Sequence, residues 1–430
     1  MVALLRPITA LFISAAIVLC GNGLETVLLP IRAEIEGFTR LEIGLIGSAY
    51  WLGITLGCIV CPRIIARVGH PRAFTVFTAV ATVAPLLEAI WQIPVLWWML
   101  RGLVGVCFAG ILMVLESWLN SSATNATRGR ILSAYTITNF SVIIVGQQLL
   151  NLADAAGFHL FTVSAILFSL AAVPLALTLS PPPAAPRIPN PRPLWLYRLS
   201  PAAVIGCVGA GLANGAFWAL GPVYATGSGL PISLVAFFMT CAVFGGAVAQ
   251  WPVGKWSDTR DRRQVLMMLT LTASVMGFLL FLFADGPAIV KLVLALAFGA
   301  VALPVYWVSL AHANDHAAPG EVVDVSSNLL LVFAASAIAG PIFASIFSGE
   351  IGIGGLFLFT AIIHLAIAGL IYLRIRARGP VPLEDREAFM PIPQKSSTAV
   401  FDLDPRQEAQ GTAPDGNQAL PSPKASNETP

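Results

Sequence analysis

Charge is what this chain lacks most. Aspartate, glutamate, lysine and arginine make up 11% of its 430 residues, whereas 57% of the residues are hydrophobic. A soluble globular protein carries about a quarter charged residues, so this shortage excludes a chain surrounded mainly by water. The net charge of +2 is also too small to indicate nucleic acid as a partner. The sequence therefore predicts an integral membrane protein whose surroundings are mostly lipid bilayer.

Motifs for catalysis and for cofactors are missing as well. Cys58 and Cys61 form a C-x-x-C, but no second pair or nearby histidine completes the four ligands that zinc requires. No G-x-x-x-x-G-K-[ST] loop occurs that could cradle the phosphates of ATP. No Ser/His/Asp or metal-ligating constellation falls at a single membrane depth. We therefore expect no enzyme activity, cofactor or metal.

Long apolar runs follow one another along most of the chain. A helix needs about 20 apolar residues to cross a hydrocarbon core of about 30 Å. Twelve runs meet this requirement, at about 8–30, 43–62, 73–93, 95–118, 131–151, 158–179, 201–225, 231–252, 264–284, 288–311, 324–347 and 353–375. The first exceeds the length of a signal-peptide core and contains Glu25, so we interpret it as a membrane helix. The predicted fold is all-α, with twelve transmembrane helices.

Positive charge is distributed unequally between the loops of the two faces. The loops after runs two, four, six and eight contain Arg63, Arg67, Arg72, Arg128, Arg130, Arg187, Arg192, Arg198, Lys255, Arg260, Arg262 and Arg263. The other loops contain only Arg32, Arg40 and Lys291. Lysine and arginine in short loops mark the cytoplasmic side. The pattern predicts a multi-pass protein of the bacterial inner membrane with both termini in the cytoplasm.

Composition divides the chain into four segments. The proline-rich stretch PPPAAPRIPNPRPLWLYRLSP, residues 181–201, separates two sets of six runs. We expect an N-terminal six-helix bundle over 1–179, a cytoplasmic linker over 180–200 and a C-terminal six-helix bundle over 201–378. The tail over 379–430 is rich in Pro, Ser, Gln, Glu and Asp and is expected to be disordered, although its segment FDLDPR, 401–406, could dock elsewhere on the protein.

The two halves repeat one another. The first run contains Asn22-Gly23 and then Pro30, and the seventh contains Asn214-Gly215 and then Pro222, an offset of 192 residues. Asn139 and Asn328 correspond at an offset of 189. Several matches near one offset indicate an internal duplication. We expect the prolines to mark where each helix bends or ends, and the glycines to allow close approach by a helix or a ligand.

This 6 + 6 pattern resembles the major facilitator superfamily, whose halves are related by an axis along the membrane normal. GKWSDTRDRR, 254–263, is similar to the loop signature G-x-x-x-D-x-x-G-R-[RK] of that superfamily, with Asp261 in place of the second glycine. The first half departs further, since Ile64 and Val68 stand where the glycine and the aspartate belong. The segments GHPRAF, ESWLN, NGAFWALGPVY and QWPVGKWSD resemble the YcaD-like bacterial branch.

The resemblance implies a cytoplasmic gate. Asp258 would be a latch that bonds a neighbouring helix end, and the arginines would hold the cytoplasmic face together. Glu116 ends the fourth run close in sequence to Arg128 and Arg130, so either a salt bridge in the gate or a solvated helix end is possible. The gate candidates are Gly254, Asp258, Arg262, Arg263, Arg72, Glu116 and Arg130.

Three charged residues lie inside the apolar runs at a similar depth. At 1.5 Å per residue, Glu25 lies about 25 Å across the membrane, in its outer third. Glu88 and Arg101 fall near this level in the third and fourth runs. Arg101 opens RGLVG, which is similar to a pattern tied to proton transfer in proton-coupled members of the superfamily. Interface positions or a structural ion pair are the alternatives to a coupling role. A desolvated carboxyl favours its neutral form and a nearby arginine favours its charged form, so Glu25 could bind and release a proton.

Polar and aromatic residues in the runs suggest a central cavity. Helix–helix packing is an equally good explanation of each residue taken singly. Together they suit a ligand with an apolar body and a few polar groups. The candidates are Asn22, Asn139, Gln147, Asn214, Trp218, Tyr224, Tyr306, Trp307 and Asn328.

The sequence thus predicts a secondary transporter that moves a small molecule by alternating access. We expect proton coupling, with efflux or antiport favoured, and a monomeric state. Two alternatives stay open: an uncoupled uniporter, and a sensor or scaffold derived from a transporter that uses its tail for docking.

Overall fold

The computed structural model describes residues 2–178, 182–184, 186, 190–318 and 320–377, and further along the chain 379, 382, 386, 389, 390, 393 and 396–403; for residues 2–7, 125 and 126 only the backbone is described. The helices are α1 Val2–Ile35, α2 Arg40–Val68, α3 His70–Ile90, α4 Pro94–Ser122, α5 Asn125–Gln148, α6 His159–Leu170, α7 Ala172–Ala176, α8 Pro193–Leu199, α9 Pro201–Gly227, α10 Ile232–Thr259, α11 Arg262–Leu282, α12 Ala288–Ala302, α13 Pro304–Asn314, α14 Val322–Ile351 and α15 Gly355–Ala377. Short 3₁₀ helices cover Leu149–Leu152 and Thr398–Leu403.

Within this described part of the chain, 12 segments are long and apolar enough to cross a membrane. α6 and α7 together make one crossing, α12 and α13 make another, and α8 lies in the connection between the two sets of six. The predicted fold class, an all-α membrane protein with twelve crossings, is confirmed. We call the face that holds the start of α1 and the end of α15 the terminal face, and the other the opposite face.

The same set of helix pairs packs in each half. α2 packs on α4, α1 on α5 and α3 on α6, and the corresponding pairs in the second half are α10 with α12, α9 with α14 and α11 with α15. Contacts between the halves obey the same symmetry, since α2 meets α14 and α5 meets α10. The duplication inferred from N-G-x6-P therefore extends to the packing.

Glycines allow the closest of these crossings. A Cβ on Gly23 would lie 2.8 Å from the carbonyl oxygen of Ile143 in α5, and one on Gly215 would lie 2.5 Å from that of Ala337 in α14. Gly146 and Gly340 face the carbonyls of Cys20 and Leu212 from the other side of the two crossings. The glycines of the two N-G pairs therefore serve helix–helix contact, as small residues commonly do in membranes.

The prolines of the repeat do not end their helices. α1 continues past Pro30 to Ile35, and α9 continues past Pro222 to Gly227. A proline removes one backbone hydrogen bond, which a packed membrane bundle tolerates. Both helices end instead before glycines with positive φ, Gly37 at 79° and Gly229 at 81°, a conformation that side chains other than glycine adopt only with strain.

Adding one methyl group at a crossing glycine should destabilise the protein. We expect Gly146→Ala and Gly340→Ala each to lower the free energy of unfolding by about 1–3 kcal/mol, because the new Cβ meets backbone that cannot move aside. Unfolding in mixed detergent micelles measures the change.

Gly369→Ala in α15 is the matched control, because a Cβ there would have nothing within 4 Å. Alanine has the higher helix propensity by about 1 kcal/mol, so this variant should be neutral or more stable. Equal effects at all three positions would contradict the packing explanation.

Candidate functional site

The two halves meet at the opposite face. Gln148 Nε2 in α5 donates to Thr240 Oγ1 in α10 at 2.7 Å, and Arg40 in α2 donates to the backbone carbonyl of Ser348 in α14. Near Arg40, Gly44 lies against the backbone of Pro341 in α14. These contacts join α2 to α14 and α5 to α10, so the space between the halves is closed on this side.

A central cavity lies between the halves. Together with the part open to solvent it measures about 830 Å³. Its described lining is rich in aromatic side chains, and among the described residues it contains one carboxamide and no charged group: Tyr50, Trp51, Ile54, Cys58, Leu112, Asn214, Trp218, Leu303, Tyr306, Trp307, Leu330, Leu331, Phe333, Ala334, Pro393 and Ser396. Such a lining can stack on a flat apolar body and hydrogen-bond a few polar groups on its edge.

A second chamber lies next to the central cavity and measures about 460 Å³ together with the part open to solvent. Its lining includes Glu25 and Arg101, and it shares Tyr50, Trp51 and Trp218 with the central cavity. These three aromatic side chains therefore separate the central cavity, whose described lining is uncharged, from a compartment with charged lining residues. We call the second compartment the charged chamber.

Three buried charged residues of the first half, Glu25, Glu88 and Arg101, form one cluster. Arg101 Nη1 bonds Glu25 Oε2 at 2.6 Å, and both side chains are buried. The Arg101 guanidinium lies 4.4 Å from the centre of the Tyr50 ring, and Tyr50 also hydrogen-bonds Asn22. Glu88 interacts electrostatically with Glu25 and Arg101, and its two carboxyl oxygens are buried without a hydrogen-bond partner among the described residues. The structure thus brings together all three predicted charges, and none of them lies at an exposed interface.

Four of the nine predicted cavity residues line the central cavity: Asn214, Trp218, Tyr306 and Trp307. The other five lie outside its lining for identifiable reasons. Tyr224 donates its hydroxyl to the carbonyl of Leu280 at 2.6 Å, and Gln147 accepts from Thr240 in the contact between the halves.

The remaining three are the asparagines of α1, α5 and α14. Asn328 donates to the carbonyl of Asn190 at 3.1 Å and so holds the connection between the halves. Asn22 lies behind Tyr50, and Asn139 is fully buried in α5. In this structure these five side chains lie outside the described lining of the central cavity.

Sequence reasoning missed three aromatic residues of the site. Tyr50 and Trp51 line both compartments. Phe333 packs edge-on against Trp51 and at a tilt against Tyr306, with ring centroids 5.5 and 4.8 Å away. In the sequence these residues lie within apolar runs and look like lipid-facing side chains. The only available signal was the placement of Tyr50-Trp51 in the second helix, which packs against the other half.

The loop signature forms a network on the terminal face. Buried Arg262 pairs with Asp315 at 2.7 Å and with Asp258 at 3.2 Å, and it donates to Ser257. Asp315, which precedes α14, was missed in the sequence because it lies outside the signature. Asp258 also accepts a hydrogen bond from the backbone N–H of Phe389 at 3.0 Å. In this structure the tail therefore supplies a partner of Asp258, where the resemblance implied a neighbouring helix end.

Asp261, which replaces the second glycine of the signature, has its own role. It accepts from the backbone N–H of Arg263 at 3.0 Å and so caps α11, and it pairs with the Arg263 guanidinium at 2.8 Å. Burial acts to raise the pKa of Asp261, but the hydrogen bonds and the charge of Arg263 outweigh it, and the pKa lies below its ordinary value.

Glu116 is not paired with Arg130, which is exposed, as is Arg72. Glu116 is fully buried. Its carboxylate accepts the backbone N–H of Ser397 at 2.8 Å, the Ser397 hydroxyl at 2.5 Å and the Tyr135 hydroxyl at 3.2 Å. The sequence left a salt bridge in the gate and a solvated helix end as alternatives, and the structure places Glu116 in neither situation, because Ser397 and Tyr135 reach its buried carboxyl group.

Part of the tail is therefore packed. Thr398–Leu403 forms a 3₁₀ helix whose apolar residues Val400, Phe401 and Leu403 are buried against α4, α5 and α14. This differs from the expected disorder of 379–430, and it agrees with docking of the segment that begins at Phe401. Residues 404–430 lie outside the described part of the chain.

The chain has two six-helix halves, a cavity between them that is closed at the opposite face, and a buried ion pair beside this cavity. This architecture is that of a membrane transporter. The family model of the Major Facilitator Superfamily matches residues 11–327, and the chain belongs to that superfamily. It is thus a multi-pass bacterial membrane transporter, not an enzyme.

Among curated relatives, an uncharacterised MFS-type transporter of Enterobacter sp. strain 638 is 26% identical over 88% of this chain and 98% of its own length. The MFS-type transporter YcaD of Escherichia fergusonii is 25% identical over 79% of this chain and 88% of its own length. The YcaD-like resemblance inferred from the sequence is confirmed.

Among solved structures, the nucleoside transporter NupG is similar, with a TM-score of 0.72, 13% identity and coverage of 87% of this chain and 100% of NupG. A bacterial homologue of the human lysosomal transporter Spinster, in an inward-facing and occupied conformation, has a TM-score of 0.69 and 14% identity over 88% of this chain and 97% of its own. At these identities the likeness concerns the fold.

The buried ion pair should respond to single and double substitution in different ways. We expect Glu25→Ala to lower the free energy of unfolding by about 3–5 kcal/mol, because it leaves Arg101 buried without this carboxylate. Glu25→Ala combined with Arg101→Ala should recover part of that loss. A double-mutant cycle on unfolding in mixed micelles measures the coupling. Strictly additive effects would contradict the pairing.

Proposed function

We propose that the chain is a proton-coupled secondary transporter of an uncharged, ring-containing small molecule. The observation that carries the proposal is the division of the interior into a neutral aromatic cavity and the charged chamber, with Tyr50, Trp51 and Trp218 between them. Membership of the superfamily supports secondary transport, and the interior supports the finer statements on substrate and coupling.

The substrate class follows from the cavity lining. Six aromatic rings (Tyr50, Trp51, Trp218, Tyr306, Trp307 and Phe333) offer stacking surfaces, and Asn214 offers one carboxamide. A permanent charge on the substrate would find no counter-ion among the described lining residues, and desolvating it would be costly. A flat, neutral molecule with hydrogen-bonding groups at its edge fits this environment best.

The coupling site is the ion pair of the charged chamber. Arg101 bonds Glu25, stacks on Tyr50 and interacts electrostatically with Glu88. A substrate that pushes on Tyr50 from the central cavity would displace the guanidinium stacked behind it. Glu25 would then lose its counter-ion in a poorly solvated place, where a carboxyl favours its protonated form. Proton uptake by Glu25 would thus be linked to occupancy of the central cavity.

The excess of lysine and arginine in its loops supports assignment of the terminal face to the cytoplasm. On this assignment both termini are cytoplasmic, and the cavity, closed at the opposite face, is open inward in the inner membrane. We propose a monomer, because each chain contains a complete cavity between its halves. Efflux or antiport is the favoured direction, since an apolar substrate can enter from the inner leaflet.

Binding is tested by thermal unfolding of the purified protein against a library of neutral and charged metabolites and drug-like compounds. A ligand at 100 times its Kd adds about 2.7 kcal/mol to stability. We expect stabilising compounds to be neutral and ring-containing, and Trp218→Ala to weaken their binding. Trp256→Ala, at a half-exposed position outside both compartments, is the control. Hits that are mainly charged, or unaffected by Trp218→Ala, would contradict the substrate class.

Coupling is tested with Glu25→Gln in proteoliposomes, using a compound identified by that screen. A pH gradient of one unit corresponds to about 1.4 kcal/mol per proton, enough for about a tenfold substrate gradient. We expect the variant to lose accumulation driven by the pH gradient and to keep substrate exchange, because exchange needs no net proton movement. The wild type should show both.

Glu350→Gln, at an exposed position near the end of α14, is the matched control and should behave as the wild type. Accumulation that survives Glu25→Gln would remove the coupling role. Wild-type transport without response to pH would favour the uniporter. A chain that binds a ligand but does not transport it would favour the sensor.

A further inference from the structure

The tail contacts both halves at the terminal face. Phe389 donates its backbone N–H to Asp258 in the second half, and its ring packs on Gly254. Ser397 donates to Glu116 in the first half through its backbone N–H and its hydroxyl. Between these two attachment points, Pro393 and Ser396 line the central cavity. The described residues from Phe389 to Leu403 therefore cross the space between the halves; we call them the plug segment.

The plug segment is anchored by burial as well as by hydrogen bonds. Val400 and Phe401 are each 2% exposed and Leu403 is fully buried. The 3₁₀ helix that carries them packs on α4 and α5 of the first half and on α14 of the second. It thus occupies volume between helices of different halves.

Glu116 gives the attachment chemical specificity. Its carboxylate is fully buried, and three hydrogen bonds reach it, two of them from Ser397. A buried carboxyl group that loses its hydrogen-bond donors is costly to keep in the protein interior. If the tail left, Tyr135 would be the only one of these donors to remain. Glu116 is therefore a docking point for the tail.

We propose that the mouth of the central cavity is a binding site for the plug segment of this chain, and that the docked segment holds the terminal face open. This inference rests on the proposed alternating-access function. Closure of the terminal face requires the first half to approach α10 and α14, and the plug segment fills that space. By resemblance to the superfamily, Asp258 would bond a neighbouring helix end when the terminal face is closed. In this structure the backbone N–H of Phe389 bonds Asp258 instead. The plug segment must therefore leave before the cavity can open to the opposite face.

Hydrogen exchange tests the docking. We expect the amides of 397–403 in the full-length protein to exchange at least about tenfold more slowly than in a synthetic peptide of residues 389–406, because leaving a buried carboxyl group without its donors costs about tenfold or more in the equilibrium. Ser397→Glu, which places a second carboxylate against Glu116, should remove the protection. Ser426→Glu, the same change further along the tail, should keep it. Exchange of 397–403 at the rate of the free peptide would overturn the proposal.

Thiol labelling tests whether the plug segment restrains the halves. Ser345 in α14 is buried beside Gly44 at the opposite face. In Ser345→Cys, a membrane-impermeant maleimide applied from that face should react about tenfold faster when Ser397→Glu is also present than when Ser426→Glu is present. Quantifying the labelled peptide by mass spectrometry distinguishes this thiol from the native cysteines. If Ser397→Glu removes the hydrogen-exchange protection of 397–403 but the thiol introduced by Ser345→Cys is labelled at equal rates in the two variants, the proposal that the plug segment restrains the halves is overturned.

Neither readout needs a substrate or a pH gradient. Failure of the ligand screen or of the coupling test would therefore leave these two results interpretable. Conversely, a wild type without protected tail amides would leave the proposed transport function unaffected.

Discussion

Helices in lipid gain little from burying apolar surface against one another, so close backbone approach has to hold them together. Gly23 and Gly146 allow it between α1 and α5, and Gly215 and Gly340 allow it between α9 and α14. Contacts between the halves at the opposite face include a glycine as well, since a Cβ on Gly44 would lie 2.8 Å from the carbonyl oxygen of Pro341. They add side-chain hydrogen bonds, such as Gln148 to Thr240 and Arg40 to Ser348, which can be exchanged for bonds to water. Opening this face therefore has to break a glycine contact and to hydrate these polar groups.

The duplicated halves have diverged in their chemistry. At the offset of 192, Glu25 of α1 corresponds to Phe217 of α9, and both are buried. At the offset of 190, Asp258 of the loop signature corresponds to Val68. The first half thus carries the buried ion pair beside the charged chamber, and the second half carries the network on the terminal face. Under the proposed coupling, protonation in the first half would have to be communicated to the second half. Tyr50, Trp51 and Trp218 line both the charged chamber and the central cavity.

Much of the fold was predictable from the sequence, because the number of crossings depends only on apolar length and the duplication depends on N-G-x6-P. The depth of Glu25, Glu88 and Arg101 was predictable for the same reason, since depth in a helix is proportional to sequence distance. The direction in which each side chain points around its helix was not predictable.

Tyr224 and Asn328 lie in apolar runs and carry polar groups at the ends of their side chains. A neighbouring backbone carbonyl satisfies such a group as well as a ligand does. Tyr50 and Trp51 were missed because aromatic side chains facing lipid and facing a cavity look alike in the sequence.

Two of the buried glutamates, Glu25 and Glu116, satisfy the same physical requirement in different ways. Glu25 is paired with Arg101, a residue of its own half. A movement of one half relative to the other therefore leaves this pair intact. Glu116 is satisfied by Tyr135 and by Ser397, which lies 281 residues away in the tail. The average composition of the tail predicted disorder, and only the local cluster of Val400, Phe401 and Leu403 supplies enough apolar surface for docking. A buried carboxylate is costly without donors. Because Ser397 belongs to a segment that can detach, the environment of Glu116 differs in stability between the docked and the released conformation of the tail. The Glu25–Arg101 pair, in contrast, stabilises the half that contains it.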